Sequence, residues 1–274
     1  LATRAGERFG HDLHGNRTSW ENARGTYTYR YDDANRLAEI DLPGSGAFSY
    51  AHDAFGRRIA AQEPGETRAY AYDGLDILLE GEDGLAQVTA RYLYGPELAA
   101  RGDAALGLSL VLGDGRQNVR YLAGPGGQPL DAYDYDAYGS PSHPAGIDPL
   151  PFGYLGQRAV LQPGGAALPT LTSYRAYDPA GARFYSRDPL PGDAAWPLTG
   201  NDYLYGLANP LRYPDPSGLR PERTGEGPPV TANPARSARG SAAGFPTDLE
   251  ISAPAARGQE TSRAAPAQES PPRG

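Results

Sequence analysis

One pattern recurs along the first part of this chain and constrains its fold more than any other feature. It runs aromatic, any residue, aromatic or histidine, aspartate, two or three residues, glycine or asparagine, then arginine and an apolar residue. The copies are Phe9-x-His11-Asp12 with Gly15-Asn16-Arg17, Tyr29-x-Tyr31-Asp32 with Asn35-Arg36-Leu37, Tyr50-x-His52-Asp53 with Gly56-Arg57, and Tyr70-x-Tyr72-Asp73. The four aspartates stand 20, 21 and 20 residues apart. Looser copies follow at Tyr92-x-Tyr94 and at Tyr133-x-Tyr135-Asp136 with Gly139. Aromatics at i and i+2 share one face of a strand and suit a pleated, half-buried surface. The aspartate opens a tight turn by accepting backbone N–H groups, and glycine or asparagine supplies the positive φ. Arginine and the apolar residue begin the return strand. Each unit is thus a hairpin of about 20 residues, too small to stand alone, that must stack on its neighbours.

Composition narrows the chemistry. The chain has 36 Gly and 27 Pro, which disfavour long helices. It has no cysteine, so a disulfide scaffold, a Cys-ligated zinc site and a cysteine nucleophile are excluded. All 25 basic residues are arginine, so Schiff-base and phosphate-loop lysine chemistry is excluded as well. A net charge of −8 argues against general nucleic-acid binding. The longest apolar stretch, Leu106–Leu112, is far below the roughly 20 residues of a membrane span. No signal-peptide pattern opens the chain at Leu1, and the expectation is a soluble piece of a longer protein. His11 and His14 have a possible metal-ligand spacing, but the repeat explains both, since His11 takes a repeat aromatic's place and His14 lies in a turn. No cofactor or metal is implied.

The 55 residues after Leu219 contain 9 Pro, 7 Arg and a single aromatic, Phe245. Such a mixture cannot bury enough apolar surface to offset the ordering of its backbone, so 220–274 reads as a disordered tail. It lacks His, Tyr, Trp, Cys and Lys, so it carries no hydrolase or transferase constellation.

The repeat resembles the tyrosine–aspartate (YD) repeats of RHS proteins. From about Ser109 an ordered series follows: VLGDGRQNVRYL (111–122), YDYDAYG (133–139), PFGYLGQR (151–158), YRAYDPAGARFYSRDPL (174–190) and NDYLYGLANPLRYPDPSGL (201–219). This series resembles the RHS-repeat-associated core domain. The division it suggests is YD-type hairpins over 1–108, the core domain over 109–219 and the tail over 220–274. The implied fold is all-β: antiparallel hairpins forming part of a β-shell, ending in an inward-spiralling core plug. The resemblance further implies that the core cuts its own chain just after DPxGL, and that the severed C-terminal polypeptide, often a toxin, stays inside the shell until delivery. Matched motif to motif, the family's functional positions fall on Arg175, Asp188 and Asp215. The bond to be cut is Leu219–Arg220, approached through Gly218, which is read as a flexible lead-in. Implied partners are the chain's own upstream shell and a delivery apparatus or toxin-complex subunit, with a secreted or cell-surface location and neither nucleic acid nor a membrane span. The competing reading is a secreted or surface β-repeat scaffold, used in adhesion, that does not cleave.

The residues make the chemistry plausible on their own. Without Cys, Lys or metal, peptide hydrolysis is left to Ser/Thr or to a carboxylate pair, and the core segment has no well-placed histidine to activate a serine. Two close carboxylates keep one proton between them, giving one general base and one general acid. Asp188 and Asp215 are expected to form that pair as a single-turnover, aspartic-type autoprotease, with the acid and base roles left open. Arg175 is expected to hold one carboxylate ionised or to stabilise the oxyanion. Tyr177, Phe184, Tyr203 and Tyr205 read as plug packing. One departure stands out: the family's TGRF is GARF here (Gly181–Phe184), which moves the turn glycine by one place.

Overall fold

The computed structural model describes residues 2–4, 6–146, 150–156, 161, 168–194 and 196–222. The assignment of 223–274 to a disordered tail lies outside the described residues. Fifteen strands form one antiparallel sheet in which every strand pairs with its sequence neighbours. They are β1 (Ala2–Arg4), β2 (Glu7–His11), β3 (Arg17–Asn22), β4 (Gly25–Tyr31), β5 (Leu37–Leu42), β6 (Gly46–His52), β7 (Arg58–Glu63) and β8 (Glu66–Asp73). The series continues with β9 (Asp76–Glu82), β10 (Gln87–Tyr94), β11 (Leu98–Asp103), β12 (Gly107–Gly113), β13 (Val119–Ala123), β14 (Pro129–Tyr135) and β15 (Pro141–Gly146). The sheet runs unbroken through β12, where the sequence motifs change.

The aspartate turns behave as the repeat pattern requires. Asp53 Oδ1 accepts the N–H groups of Phe55 (2.9 Å) and Arg57 (3.0 Å), and Asp32 does the same for Ala34 (3.0 Å) and Arg36 (2.9 Å). Asn35 and Gly56 take the positive φ. The repeat arginine goes beyond starting a return strand. Arg36 Nε bonds Asp32 (2.7 Å) while its Nη1 reaches the Asp53 carbonyl (2.8 Å), and Arg57 Nη1 reaches the Gly74 carbonyl (3.2 Å). Each arginine therefore stitches its turn to the next repeat. A register shift falls just before these turns, at Gly10/His11, Arg30/Tyr31, Ala51/His52 and Ala71/Tyr72. Such bulges increase local twist and curl the wall.

The repeat aromatics face one side of the wall and are buried there, among them Phe9, Tyr27, Tyr29, Tyr50, Tyr70 and Tyr92. Trp20 stacks between Phe9 and Tyr27, with ring centroids 6.5 and 4.5 Å away. The chain then turns onto this face. Phe152 packs edge-on against Tyr92 (4.9 Å) and Tyr185 against Tyr29 (5.1 Å). A small sheet of β16 (Thr170–Leu171), β17 (Ala176–Asp178) and β18 (Arg183–Phe184) belongs to this capping segment. Its own core is Tyr154, Leu155, Tyr177, Phe184 and Tyr205, so three of the four aromatics read as packing are buried together. The fourth, Tyr203, donates from its hydroxyl to the Gly15 carbonyl (2.8 Å).

The cap grips the aspartate-turn end of the wall at several separate repeats. Arg17 N donates to the Tyr185 carbonyl (2.8 Å), Val119 N to the Gly153 carbonyl (3.0 Å) and Leu155 N to Asn118 Oδ1 (2.9 Å). Arg17 also forms a buried ion pair with Asp178 (3.1 Å), with its guanidinium 4.0 Å from the Tyr185 ring centre. The result is a curled β-wall whose end is filled by an inward-folded segment.

Candidate functional site

Arg175 follows the turn after β16 and points into the interior of the cap. Thr172 holds that turn: its hydroxyl donates to the Arg175 carbonyl (2.6 Å) and accepts the Arg175 N–H (3.1 Å). The Arg175 guanidinium lies 3.6 Å from the Phe184 ring centre, a cation–π contact on its apolar side. Its polar edge is fully used. Nε donates to the Gly218 carbonyl, Nη1 to the Asp202 carbonyl (2.9 Å), and Nη2 faces Asp188 Oδ2 at 2.7 Å and Asp215 Oδ2 at 3.7 Å. One nitrogen thus stands between two carboxylates that are 27 residues apart in sequence.

The two carboxylates differ in setting. The Asp188 side chain is 17% exposed and that of Asp215 only 3%. Asp188 Oδ1 accepts the Leu190 N–H (2.9 Å), and burial raises its pKa against that bond and against Arg175. Asp215 Oδ1 accepts Gly218 N (2.8 Å), Leu219 N (3.2 Å) and the Ser217 hydroxyl (2.9 Å). Burial nonetheless pushes Asp215 up to about 6, outweighing Arg175 and these donors, with the neighbouring charge of Asp188 adding to the rise. Burial pulls Arg175 down while Asp188 and Asp215 oppose it; a guanidinium stays charged throughout.

Gly218 is not a flexible lead-in. Its φ is +76°, and a Cβ there would run into the Thr172 side chain and come within 3.2 Å of Arg175 N. Only glycine lets the chain pass this close to the arginine turn. Ser173 N and Tyr174 N donate to the carbonyls of Pro216 (3.4 Å) and Ser217 (3.0 Å), so this segment is clamped at the backbone. Leu219, Arg220, Pro221 and Glu222 then line a cleft of ≈ 730 Å3 that also contains Arg175, Asp188 and Asp215. Glu222 N donates to the Pro214 carbonyl (2.7 Å), so the first three residues assigned to the tail lie against the cap.

All six positions singled out in the sequence (Arg175, Asp188, Asp215, Gly218, Leu219 and Arg220) are therefore in one place. Sequence reasoning missed Thr172, Asp202 and Ser217. Asp202 was not detectable, because its backbone carbonyl does the work, accepting from Arg175 Nη1 and Asp188 N (3.0 Å). Ser217 carried a weak signal, since serine two residues after an aspartate is ordinary turn chemistry.

An aspartate-turn hairpin wall with its end folded onto the concave face is the architecture of an RHS-type β-shell. Residues 11–47 match the RHS Repeat family. The tRNA3(Ser)-specific nuclease WapA of Bacillus spizizenii is 30% identical over 227 residues, a match that covers 77% of this chain and 9% of that protein. The double-stranded DNA deaminase toxin A of Burkholderia cenocepacia is 27% identical over 253 residues, covering 77% of this chain and 17% of that one. A crystal structure of TcdB2-TccC3 superimposes with a TM-score of 0.55 at 16% identity, covering 76% of this chain and 11% of that one. The chain belongs to the RHS/YD-repeat family and spans about a tenth of the length of the first of these relatives. Among the described residues, no helix is long and apolar enough to cross a membrane.

Proposed function

We propose that residues 109–219 act as the RHS-repeat-associated core domain at the C-terminal end of a shell, and that this core severs the Leu219–Arg220 bond once. The observation that supports this reading best is the Arg175 guanidinium, which meets Asp188, Asp215 and the Gly218 carbonyl on the segment leading to that bond. The unequal burial of the carboxylates supports one division of roles. Asp215, the more deeply buried and raised to about 6, is the acid of this reading, carrying its proton in a fraction of molecules that grows as pH falls toward 6. Asp188, the more exposed of the two and 2.7 Å from Arg175, is the base of this reading and takes a proton from water. Arg175 favours the charged form of that carboxylate against burial and, through Nε, fixes the backbone one residue before the bond. Positioning of this kind supplies much of the rate of such a reaction.

The upstream shell of the same chain would enclose the severed segment, and a toxin-complex subunit or delivery apparatus would carry it. The relatives named as toxins support a secreted or cell-surface location. The test is the intact mass of the full-length shell after folding. A break at Leu219–Arg220 is expected in the wild type, and Asp188→Asn or Asp215→Asn should slow it at least about 10³-fold. A folded wild-type shell that stays whole would leave a non-cleaving scaffold or adhesion protein instead.

A further inference from the structure

Asp215 and the leaving nitrogen are not in direct contact among the described residues. The donors on Asp215 Oδ1 end at Leu219 N (3.2 Å), while the next amide nitrogen, Arg220 N, lies 3.3 Å from Ser217 Oγ. That same hydroxyl donates to Asp215 Oδ1 at 2.9 Å and accepts Leu219 N at 3.1 Å. Ser217 fills the unspecified position of DPxGL, so the motif itself assigns it no role. Its oxygen is the one group among the described residues that touches both the buried carboxyl and the nitrogen of the Leu219–Arg220 bond.

We infer that Ser217 is a catalytic residue: its hydroxyl relays the proton from the Asp215 carboxyl to Arg220 N as the peptide bond breaks. The inference rests on the self-cleavage reading above. In the intact amide, Arg220 N has no basic lone pair and donates to Ser217 Oγ. Water attack forms a C–O bond at the Leu219 carbonyl carbon and passes one proton to Asp188. The nitrogen then becomes pyramidal and basic, with a hydroxyl already in place beside it. The Ser217 hydroxyl turns from Asp215 Oδ1 to Arg220 N and gives that nitrogen its proton, the proton carried by Asp215 Oδ1, 2.9 Å away, replaces it on Oγ, and the C–N bond breaks. Leu219 ends as a carboxyl group, Arg220 as an amine, Ser217 as a hydroxyl and Asp215 as a carboxylate, so the protons balance. A purely structural serine, closing the turn after Asp215, would need the right shape more than a transferable proton.

The experiment compares Ser217→Ala, Ser217→Thr and Ser217→Val in the full-length shell, following release of the segment beginning at Arg220 by time-resolved mass spectrometry. Thr and Val have the same shape, and only Thr has the hydroxyl. Ser217→Thr is expected to cleave within about tenfold of wild type, and Ser217→Ala and Ser217→Val about 10²-fold more slowly, the lower end of general-acid effects. Val cleaving as fast as Thr, or Ala as fast as Ser, would overturn the relay while leaving the carboxylate pair intact. A folded wild-type shell that never cleaves sinks the parent reading instead. Melting curves of the three variants, taken in an Asp188→Asn background so that chain length is constant, verify that the shell is folded.

Discussion

Asp53 in the wall and Asp215 in the cap each close a turn with their side chains, yet their carboxyl groups respond in opposite ways. Each accepts two backbone N–H groups within the next four residues and one side-chain donor. Asp53 is buried less completely than Asp215, and the bonds from Arg57 and Phe55 overcome the upward pull of burial to hold its carboxyl below the ordinary range. Asp12 and Asp32 are lowered by the same balance. At Asp215 nearly complete burial wins over similar bonds and over a neighbouring arginine. Hydrogen bonding is therefore common to both regions, and desolvation decides the sign. A carboxyl held ionised in the wall is pushed toward its neutral form in the cap.

The firmest way to break this contrast is to undock the cap from the wall. Asp178→Ala strands the Arg17 guanidinium in a buried site, with an expected cost of about 3–5 kcal/mol. Hydrogen exchange at the Arg17 amide, which donates to the Tyr185 carbonyl, should lose most of its protection. Unchanged exchange there would show that the pair does not hold the two regions together. In the wall, Asp53→Ala removes a turn acceptor and the anchor of Arg57, at an expected cost of about 1–2 kcal/mol. Its effect on exchange should stay within neighbouring repeats, because each unit touches mainly the next. Cleavage in Asp53→Ala should proceed at the wild-type rate.

Acidification should separate the two turns by sign. The folded Asp215 carboxyl is raised above its unfolded value of 3.8, so its stabilising contribution is fully present below that value and is lost as pH rises through about 6. Lowering pH from 7 to 5 in the Asp188→Asn background should protect the 215–219 amides about tenfold, after correction for intrinsic exchange. The wall aspartates are depressed, so their contribution is present above 3.8 and disappears only as pH falls through their lower folded values. Equal responses of the two turns would refute the role given to burial. The smallest effect concerns Ala182, which takes φ +54° after the glycine of its turn has moved to 181. Ala182→Gly should stabilise the cap by about 1 kcal/mol, read from the local opening of β18.

The repeat turns were legible because their chemistry is local. Aspartate, the positive-φ residue and the aromatic pair lie within a few residues of one another, and Asn35, Gly56 and Tyr29 behave as the pattern predicts. The arginines were only half legible, since Arg36 Nη1 bonds a carbonyl one repeat away. The candidate site was legible through its family motifs: Arg175, Asp188 and Asp215 converge although nothing local links them. The displaced turn glycine at Gly181 leaves Asp188 within 2.7 Å of Arg175, because the Asp202 carbonyl holds both residues from the far side. Arg17 and Asp178, 161 positions apart, gave no hint of pairing.

The sequence by itself determined the hairpin period, the place of the turns and their positive-φ residues, and the strand faces that carry aromatics, since these follow from backbone sterics and side-chain alternation within each unit. Only the tertiary structure decided which aspartate is pushed furthest up, which serine meets the Arg220 nitrogen and why Gly218 must be glycine. Those properties depend on how much water is excluded and how closely distant segments approach, and neither exists until the cap folds into the wall.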